Sequence, residues 1–413
     1  LRFALNRFTF CFKGDVVRAK DFKRLVGDLA RGAEAVEPRC KHAVECGGCA
    51  FQDRAYPGQV AAKREALARL FAEGGVLSPA EATTLEVVPS PDPYNYRTRM
   101  DYVATKGRFG LRARGKFNYI VELDECHLIP PAAFAAAKAV WLAAGELGLP
   151  DYNIRTHEGF LRYVVVRRSP DERLLLAAVT AAGPYEAELE QLAAVALAQP
   201  GVASFHWLLN DSLTDLSFGA PLRHWGAAEL EMAAGRQRLT IGPNTFFQNN
   251  IHLLGRLLDD VLAGVGEAAG AAVADLYGGV GTIALHLAPH VGRVVCVESV
   301  GESAELARAN AARAGAANVE AVAEDVLPFL RAQAGGAFAV AVADPPRTGL
   351  GPEVCAELLR LGLERIVYVS CNPVTQVDDL RALGAGYQLR SLRGYDMFPH
   401  TPHAETLALL DRR

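Results

Sequence analysis

Val367-Tyr368-Val369-Ser370-Cys371-Asn372-Pro373 places a cysteine just past an apolar run that reads as a buried strand. A lone cysteine usually behaves as a small buried hydrophobe, and Cys296 and Cys355 fit that description. Cys371 differs because a polar turn surrounds it, where a thiol can act as a nucleophile if its pKa is lowered. Nearer the C-terminus, Asp396–Glu405 packs His400, His403 and Glu405 into a short loop ahead of a final strand, Leu407–Leu410. Glu405 suits a proton acceptor in a partly closed site. The same three side chains are a weaker candidate for metal ligation.

A second set of residues suits a nucleotide-like ligand. Asp275-Leu276-Tyr277-Gly278-Gly279-Val280-Gly281 lies between a strand and a helix, where glycines allow a tight turn and close backbone approach. The next strand ends in Glu298, placed to accept hydrogen bonds from ribose hydroxyls, and Asp325 follows a third strand, where an adenine amino group could be read. Asp344-Pro345-Pro346-Arg347 stops a strand that is apolar throughout; the prolines hold the chain extended and leave Asp344 at the sheet edge. A helix cap or a solvated charge explains any one of these acids. Their ordered placement after successive strands favours one shared ligand.

Three of the eight cysteines cluster as Cys40-x5-Cys46-x2-Cys49, and Cys126 can supply a fourth thiolate. Four thiolates suit an iron–sulfur cluster or tetrahedral zinc, and His42 offers a Cys3His zinc alternative. The spacing is not the Cys-x3-Cys-x2-Cys of radical S-adenosylmethionine enzymes. Between Tyr94 and Tyr119, Arg97, Arg99, Lys106, Arg108, Arg112, Arg114 and Lys116 alternate with six aromatic rings against one acid, Asp101. Cations for phosphates and rings for unpaired bases are the elements of single-stranded RNA contact. A hairpin with a solvated charged face and buried rings would show the same pattern.

The elements that must position these groups change along the chain. Residues 1 to about 38 read as a few strands of a small β module, and Val60–Glu73 as an amphipathic helix. From about 85 to 230, β-like runs at 161–166 and 174–179 mix with Ala-rich helices near 132–147 and 185–198, an α+β pattern. From about 240 onward the order strand, glycine turn, helix repeats, which predicts a doubly wound, mainly parallel sheet. The net charge of −4 hides an asymmetry: residues 1–120 hold 21 Lys/Arg against 13 Asp/Glu, a net +8, leaving −12 for the rest. A basic front on an acidic back fits a nucleic-acid-contacting part joined to a catalytic part. No window approaches the apolar length of a membrane span, and no signal pattern opens the chain, so a cytoplasmic place is expected.

The ordered set Phe246-Phe247-Gln248-Asn249-Asn250, Asp275–Gly281, Asp344–Arg347, Ser370–Pro373 and Asp396–Glu405 resembles the RNA uracil-C5 methyltransferase family. The resemblance implies S-adenosylmethionine as methyl donor, with Gln248, Tyr277, Glu298, Asp325 and Asp344 lining its site. Thr282 stands where some relatives carry asparagine and is included as a donor-site residue. Cys371 falls on the family's nucleophile and Glu405 on its general base. Cys40, Cys46, Cys49 and Cys126 fall on the ligands of a 4Fe–4S cluster, which then takes precedence over zinc. The implied architecture is α/β: a partial β-barrel RNA-binding module (1–38), a central α+β iron–sulfur and RNA-binding domain (39–235) and a Rossmann-like methyltransferase domain (236–413). The implied reaction is 5-methyluridine formation in RNA, with an accessible or flipped-out uridine in 23S ribosomal RNA as the favoured target and tRNA as the alternative. Two rivals remain: an exocyclic-amine methyltransferase, disfavoured because Arg347 replaces the aromatic residue after the prolines, and an iron–sulfur RNA-binding protein without methyl transfer.

Overall fold

The computed structural model describes residues 18–266 and 268–413. Three helices and a short strand come first: α1 (Ala19–Ala30), α2 (Tyr56–Glu73), α3 (Pro79–Thr84) and β1 (Glu86–Val88). α1 buries Phe22, Val26 and Ala30, a four-residue repeat that marks one helix face. The strand reading of residues 1–38 is therefore corrected for 19–30, and residues 1–17 lie outside the described residues. α2 starts four residues earlier than its apolar pattern predicts, because Pro57 suits the first helical turn.

The central part contains β2 (Arg99–Thr105), β3 (Arg108–Ala113), β4 (Lys116–Glu122), α4 (Pro131–Glu146), β5 (Leu161–Arg168), β6 (Leu174–Thr180), α5 (Glu186–Leu197), β7 (Val202–Leu209) and β8 (Ala220–Gly226). Its strands form a seven-stranded sheet in the order β4-β3-β2-β5-β6-β7-β8. Only β6 and β7 pair in parallel, joined through α5. Every residue of β5 and β6 is buried. One face packs against α4 and α5, the other against an antiparallel ribbon, β9 (Leu230–Ala234) and β10 (Gln237–Ile241). Burial on both faces is why these strands read as unbroken apolar runs.

The C-terminal part alternates helix and strand: α6 (Ile251–Val265), β11 (Ala268–Leu276), α7 (Thr282–Leu287), β12 (Val291–Glu298), α8 (Gly301–Arg313), β13 (Val319–Ala323), α9 (Val326–Ala332), β14 (Val340–Ala343), α10 (Gly351–Leu361), β15 (Arg365–Ser370), α11 (Pro373–Leu383), β16 (Tyr387–Tyr395) and β17 (Glu405–Arg412). The sheet order is β1-β16-β17-β15-β14-β11-β12-β13. β11 to β15 run parallel, and β17 runs antiparallel between β15 and β16. This is the expected doubly wound α/β architecture.

The segment 56–88 departs from the division at 38/39 and 235/236. β1 pairs with β16 at the edge of the C-terminal sheet, and α2 packs on α11 and β1. Leu67 and Phe71 of α2 are fully buried in the same core as Tyr368 and Leu383, each contributing about 1.5–3 kcal/mol. The apolar face of α2 finds its partner across more than 300 residues of sequence, which local pattern cannot reveal.

Candidate active site

Parallel strands place all their carboxyl ends on one edge of a sheet, and ligands of open α/β sheets bind there. That edge carries Asp275 near the end of β11 and Tyr277 just after it, Glu298 at the end of β12, Asp325 beyond β13, Asp344 after β14 and Cys371 after β15. β17 runs the opposite way, so its first residue, Glu405, lies at the same edge. Ser370 pairs with Thr406, which sets Cys371 and Glu405 beside each other. The loop expected at Glu405 ends one residue earlier, and the carboxylate is mounted on a strand.

Electrostatics tie the catalytic candidates together. Glu405 is 1% exposed, its Oε1 has no hydrogen-bond partner, and burial with Asp344 nearby pushes its carboxyl well above the usual range. Burial also pushes Asp344 up to about 7, against a 2.8 Å hydrogen bond donated by Gln248 Nε2 to its Oδ2. Burial, Glu405 and Asp344 push the Cys371 thiol up to about 12. A lowered pKa, the condition stated for Cys371 from sequence, is thus not met in the free protein. Arg347 opposes both shifts. Its carbonyl accepts a 2.8 Å hydrogen bond from Asn372 Nδ2, linking the Asp-Pro-Pro-Arg loop to the cysteine turn. The sequence displayed Arg347 only as a departure from an aromatic pattern, so its charge at the nucleophile was missed.

Gln248, Tyr277, Thr282 and Asp344 line one pocket with Phe247, Gly278 and Gly279. Tyr277 has a left-handed φ of 63°. A Cβ on Gly278 would stand 2.3 Å from Cys296 Sγ, so only glycine lets the turn close over β12. Asp275 Oδ2 accepts from Ala284 N at 3.0 Å and so caps α7, a role that sequence reading did not assign. Glu298 Oε2 accepts from Gly279 N (3.0 Å) and its Oε1 from Val300 N (2.7 Å), leaving acceptor capacity on each oxygen. Asp325 is exposed; it stands at the cap of α9 without a side-chain capping bond, and its charge is a small addition to the burial that pushes the Tyr277 phenol up. Glu298 and Asp325 border the pocket rather than line it. Phe246, 62% exposed at its mouth, was not singled out as a site residue.

Cys40, Cys46, Cys49 and Cys126 are all buried. Backbone pairing draws the cysteine loop onto β3: Gly47 N donates to Arg112 O and Arg114 N to Glu45 O, both at 2.8 Å. Burial pushes Cys40 up to about 11 and Cys49 to about 12, and Cys126 adds to both. Burial also pushes Cys46 and Cys126 up; Arg97, expected to contact RNA phosphate, stands beside Cys46, Cys49 and Cys126 and only partly opposes the rise. His42 Nε2 lies 2.5 Å from Asp124 Oδ1. Among the described residues no group of three or more His, Cys, Asp or Glu side chains is placed to hold a metal ion.

The basic strip divides. Tyr96, Tyr102 and Phe109 are core residues, whereas Phe117 and Tyr119 are 60% and 47% exposed. Arg112 and Arg108 cover those two rings. Arg99 is paired with Asp101 at 2.8 Å, and Arg114 donates to Ala43 O and Cys49 O.

A glycine-rich turn after the first parallel strand, acids on the following strand ends and a pocket at their common edge define a doubly wound α/β protein with a nucleotide-type ligand site. Residues 227–413 match the family model described as tRNA (Uracil-5-)-methyltransferase. An uncharacterized RNA methyltransferase of Thermotoga maritima is 31% identical, covering 94% of this chain and 88% of that protein. The tRNA (uracil(54)-C(5))-methyltransferase of Pyrococcus abyssi is 34% identical, over 91% and 86%. The crystal structure of the Pyrococcus abyssi tRNA (uracil-54, C5)-methyltransferase in complex with S-adenosyl-L-homocysteine superposes with a TM-score of 0.75 at 32% identity, over 90% of this chain and 86% of that one. The chain belongs to the RNA uracil-C5 methyltransferase family.

Proposed function

We propose that this RNA uracil-C5 methyltransferase makes 5-methyluridine in tRNA, at the position named in its archaeal relatives, uridine 54. The 23S ribosomal RNA target favoured from the resemblance yields to those relatives, three of which are named as tRNA (uracil(54)-C(5))-methyltransferases. The observation that carries the chemistry is the pairing of Ser370 with Thr406, which brings a thiol and an unpartnered carboxyl together.

In this reading Gln248, Tyr277, Thr282, Glu298, Asp325 and Asp344 hold S-adenosylmethionine. Cys371 adds to uracil carbon 6 as thiolate, and the resulting enolate makes carbon 5 nucleophilic enough to take the methyl group. Glu405 then removes the carbon-5 proton and the thiolate leaves. Charge sets the order of events. With the donor seated in the pocket that Asp344 lines, its sulfonium would favour ionised neighbours before transfer. Methyl transfer abolishes that positive charge, which raises the proton affinity of Glu405 when it must accept a proton.

Phe117 and Tyr119, with Lys106, Arg108 and Lys116, form the RNA-facing surface in this proposal, since Tyr96, Tyr102 and Phe109 are core and the half-buried Tyr94 packs on His400. A 4Fe–4S cluster on Cys40, Cys46, Cys49 and Cys126 rests on the resemblance alone: the four thiols are buried, but among the described residues they are not placed to hold a metal ion, and no step of the reaction passes through a cluster. We place the start of the methyltransferase part at the matched region, residue 227, because a cut at 235/236 divides the ribbon β9–β10, and we retain a cytoplasmic place for the enzyme.

The test incubates tRNA and ribosomal RNA lacking 5-methyluridine with the protein and methyl-labelled S-adenosylmethionine, then maps label by nucleoside mass spectrometry. Label in tRNA at one uridine, abolished in Cys371→Ala, is expected. Label confined to ribosomal RNA overturns the substrate, and undiminished label in Cys371→Ala overturns the covalent route.

A further inference from the structure

We propose that Gln59 and Lys63 of α2 are positioning residues for Glu405, acting through the loop 396–404. The inference rests on Glu405 as the proton acceptor. This loop leaves β16 at Asp396 and enters β17 at Glu405, so its shape decides where the carboxyl group points.

The loop is held from outside the C-terminal sheet. Lys63 and Asp396 form an ion pair at 2.5 Å with both side chains fully buried, and Lys63 Nζ also donates to Phe398 O at 3.0 Å. At the apex, His400 N donates to Gln59 Oε1 at 3.1 Å, and Gln59 Nε2 lies 3.2 Å from His400 Nδ1. The same Gln59 Nε2 donates to Phe51 O and Arg54 O, each at 2.8 Å. Ala50 N and Phe51 N donate to His400 O at 2.6 and 3.2 Å, and Tyr96 OH donates to Pro399 O at 3.1 Å. Tyr94 lies with its ring centroid 4.6 Å from that of His400.

Two features distinguish positioning from plain stability. His400 has a left-handed φ of 64°, a conformation a non-glycine residue keeps only where its surroundings over-determine it. The backbone is therefore forced into one shape by contacts from α2 and from residues 50–51. A fully buried ion pair, moreover, is a poor source of stability compared with well-packed apolar residues. The pair fixes the start of the loop, the glutamine its apex and the strand register its end. Glu405 accepts the carbon-5 proton; the C5–H electrons re-form the C5=C6 bond, and the C6–S bond breaks to release the Cys371 thiolate. Methyl transfer precedes that step and does not need Glu405 in place.

The experiment compares Gln59→Leu, and Lys63→Met combined with Asp396→Asn so that no charge is left unpaired, with the parent enzyme and Glu405→Gln. Single-turnover methyl transfer, steady-state turnover and denaturation-resistant enzyme–RNA adduct are measured on a tRNA substrate. The expected result is single-turnover transfer within about threefold of the parent, turnover lowered about tenfold to a hundredfold, and accumulation of methylated adduct. Turnover and single-turnover transfer falling together without adduct, while Glu405→Gln traps adduct, overturns the positioning role alone. Normal turnover without adduct in Glu405→Gln overturns the proton-acceptor reading itself. If either clamp variant does not fold, His400→Ala is read in the same assay, because alanine removes the ring that Gln59 holds and, at a left-handed φ, lets the loop relax from the shape that aims Glu405. Adduct accumulation supports the role and its absence overturns it.

Discussion

The parallel edge of the C-terminal sheet and the antiparallel central sheet assemble function in opposite ways. At the parallel edge each strand delivers its functional residue at its end or on the next turn, so Asp275, Glu298, Asp325, Asp344 and Cys371 arrive in chain order. In the central part the cysteine loop at 40–49 meets Cys126 through contacts with β3, and the basic strip is split between a buried face and an exposed one. A site built from successive strand ends can be read as separate short motifs. A site built from one face of a sheet cannot, because alternate residues point to opposite sides.

Three measurements probe that contrast, beginning with the largest effect. At the parallel edge Arg347 is the charge that offsets Glu405 and Asp344 at Cys371. With the thiol pushed up to about 12, the thiolate fraction rises with pH throughout the neutral range, so kcat/KM for RNA should climb between pH 6 and 9. Arg347→Ala removes a stabilising cation, raises the thiol pKa further and should lower kcat/KM about a hundredfold at neutral pH, with partial recovery as pH increases. A flat pH profile and unchanged kcat/KM would show that the thiol is activated elsewhere.

Next, Phe117→Ala with Tyr119→Ala should weaken RNA binding about tenfold or more, since one ring-on-base stack is worth about 1–3 kcal/mol. S-adenosylhomocysteine binding should not change. Equal RNA affinity in the double variant would mean that these exposed rings do not face the substrate. The smallest effect tests independence of the two regions and the proposed cluster with it: where the parent protein binds iron and sulfide, Cys126→Ser should abolish both and the accompanying visible absorption. Donor affinity should stay within about twofold, as expected for sites without shared partners. Iron retained at parent levels would remove Cys126 from the ligand set.

The cost of reading function locally is visible at particular residues. Tyr96, Tyr102 and Phe109 sit within the same aromatic and basic stretch as Phe117 and Tyr119, yet they are core. Arg97 shares that stretch and ends beside the thiols. Residues 19–30 looked like the tail of a β module, but Phe22, Val26 and Ala30 make a helix face that packs against α2 and α11. The alternation was too short to separate a two-residue period from a four-residue one.

What the sequence determined by itself was the order of strands and turns in the C-terminal part and the chemical types at their ends. Strand, glycine turn and helix are local conformational events, decided by neighbouring φ/ψ preferences and apolar period. The tertiary structure alone decided that Glu405 meets Cys371, because the antiparallel insertion of β17 between β15 and β16 brings its first residue to the carboxyl edge. It alone decided that the Cys371 thiol is held up rather than lowered, since burial and neighbouring carboxyls act through space. It also brought Gln59 and Lys63 more than 330 residues along the chain to the loop before Glu405. Pairings between distant segments come from packing and charge in three dimensions, and no short window of residues encodes them.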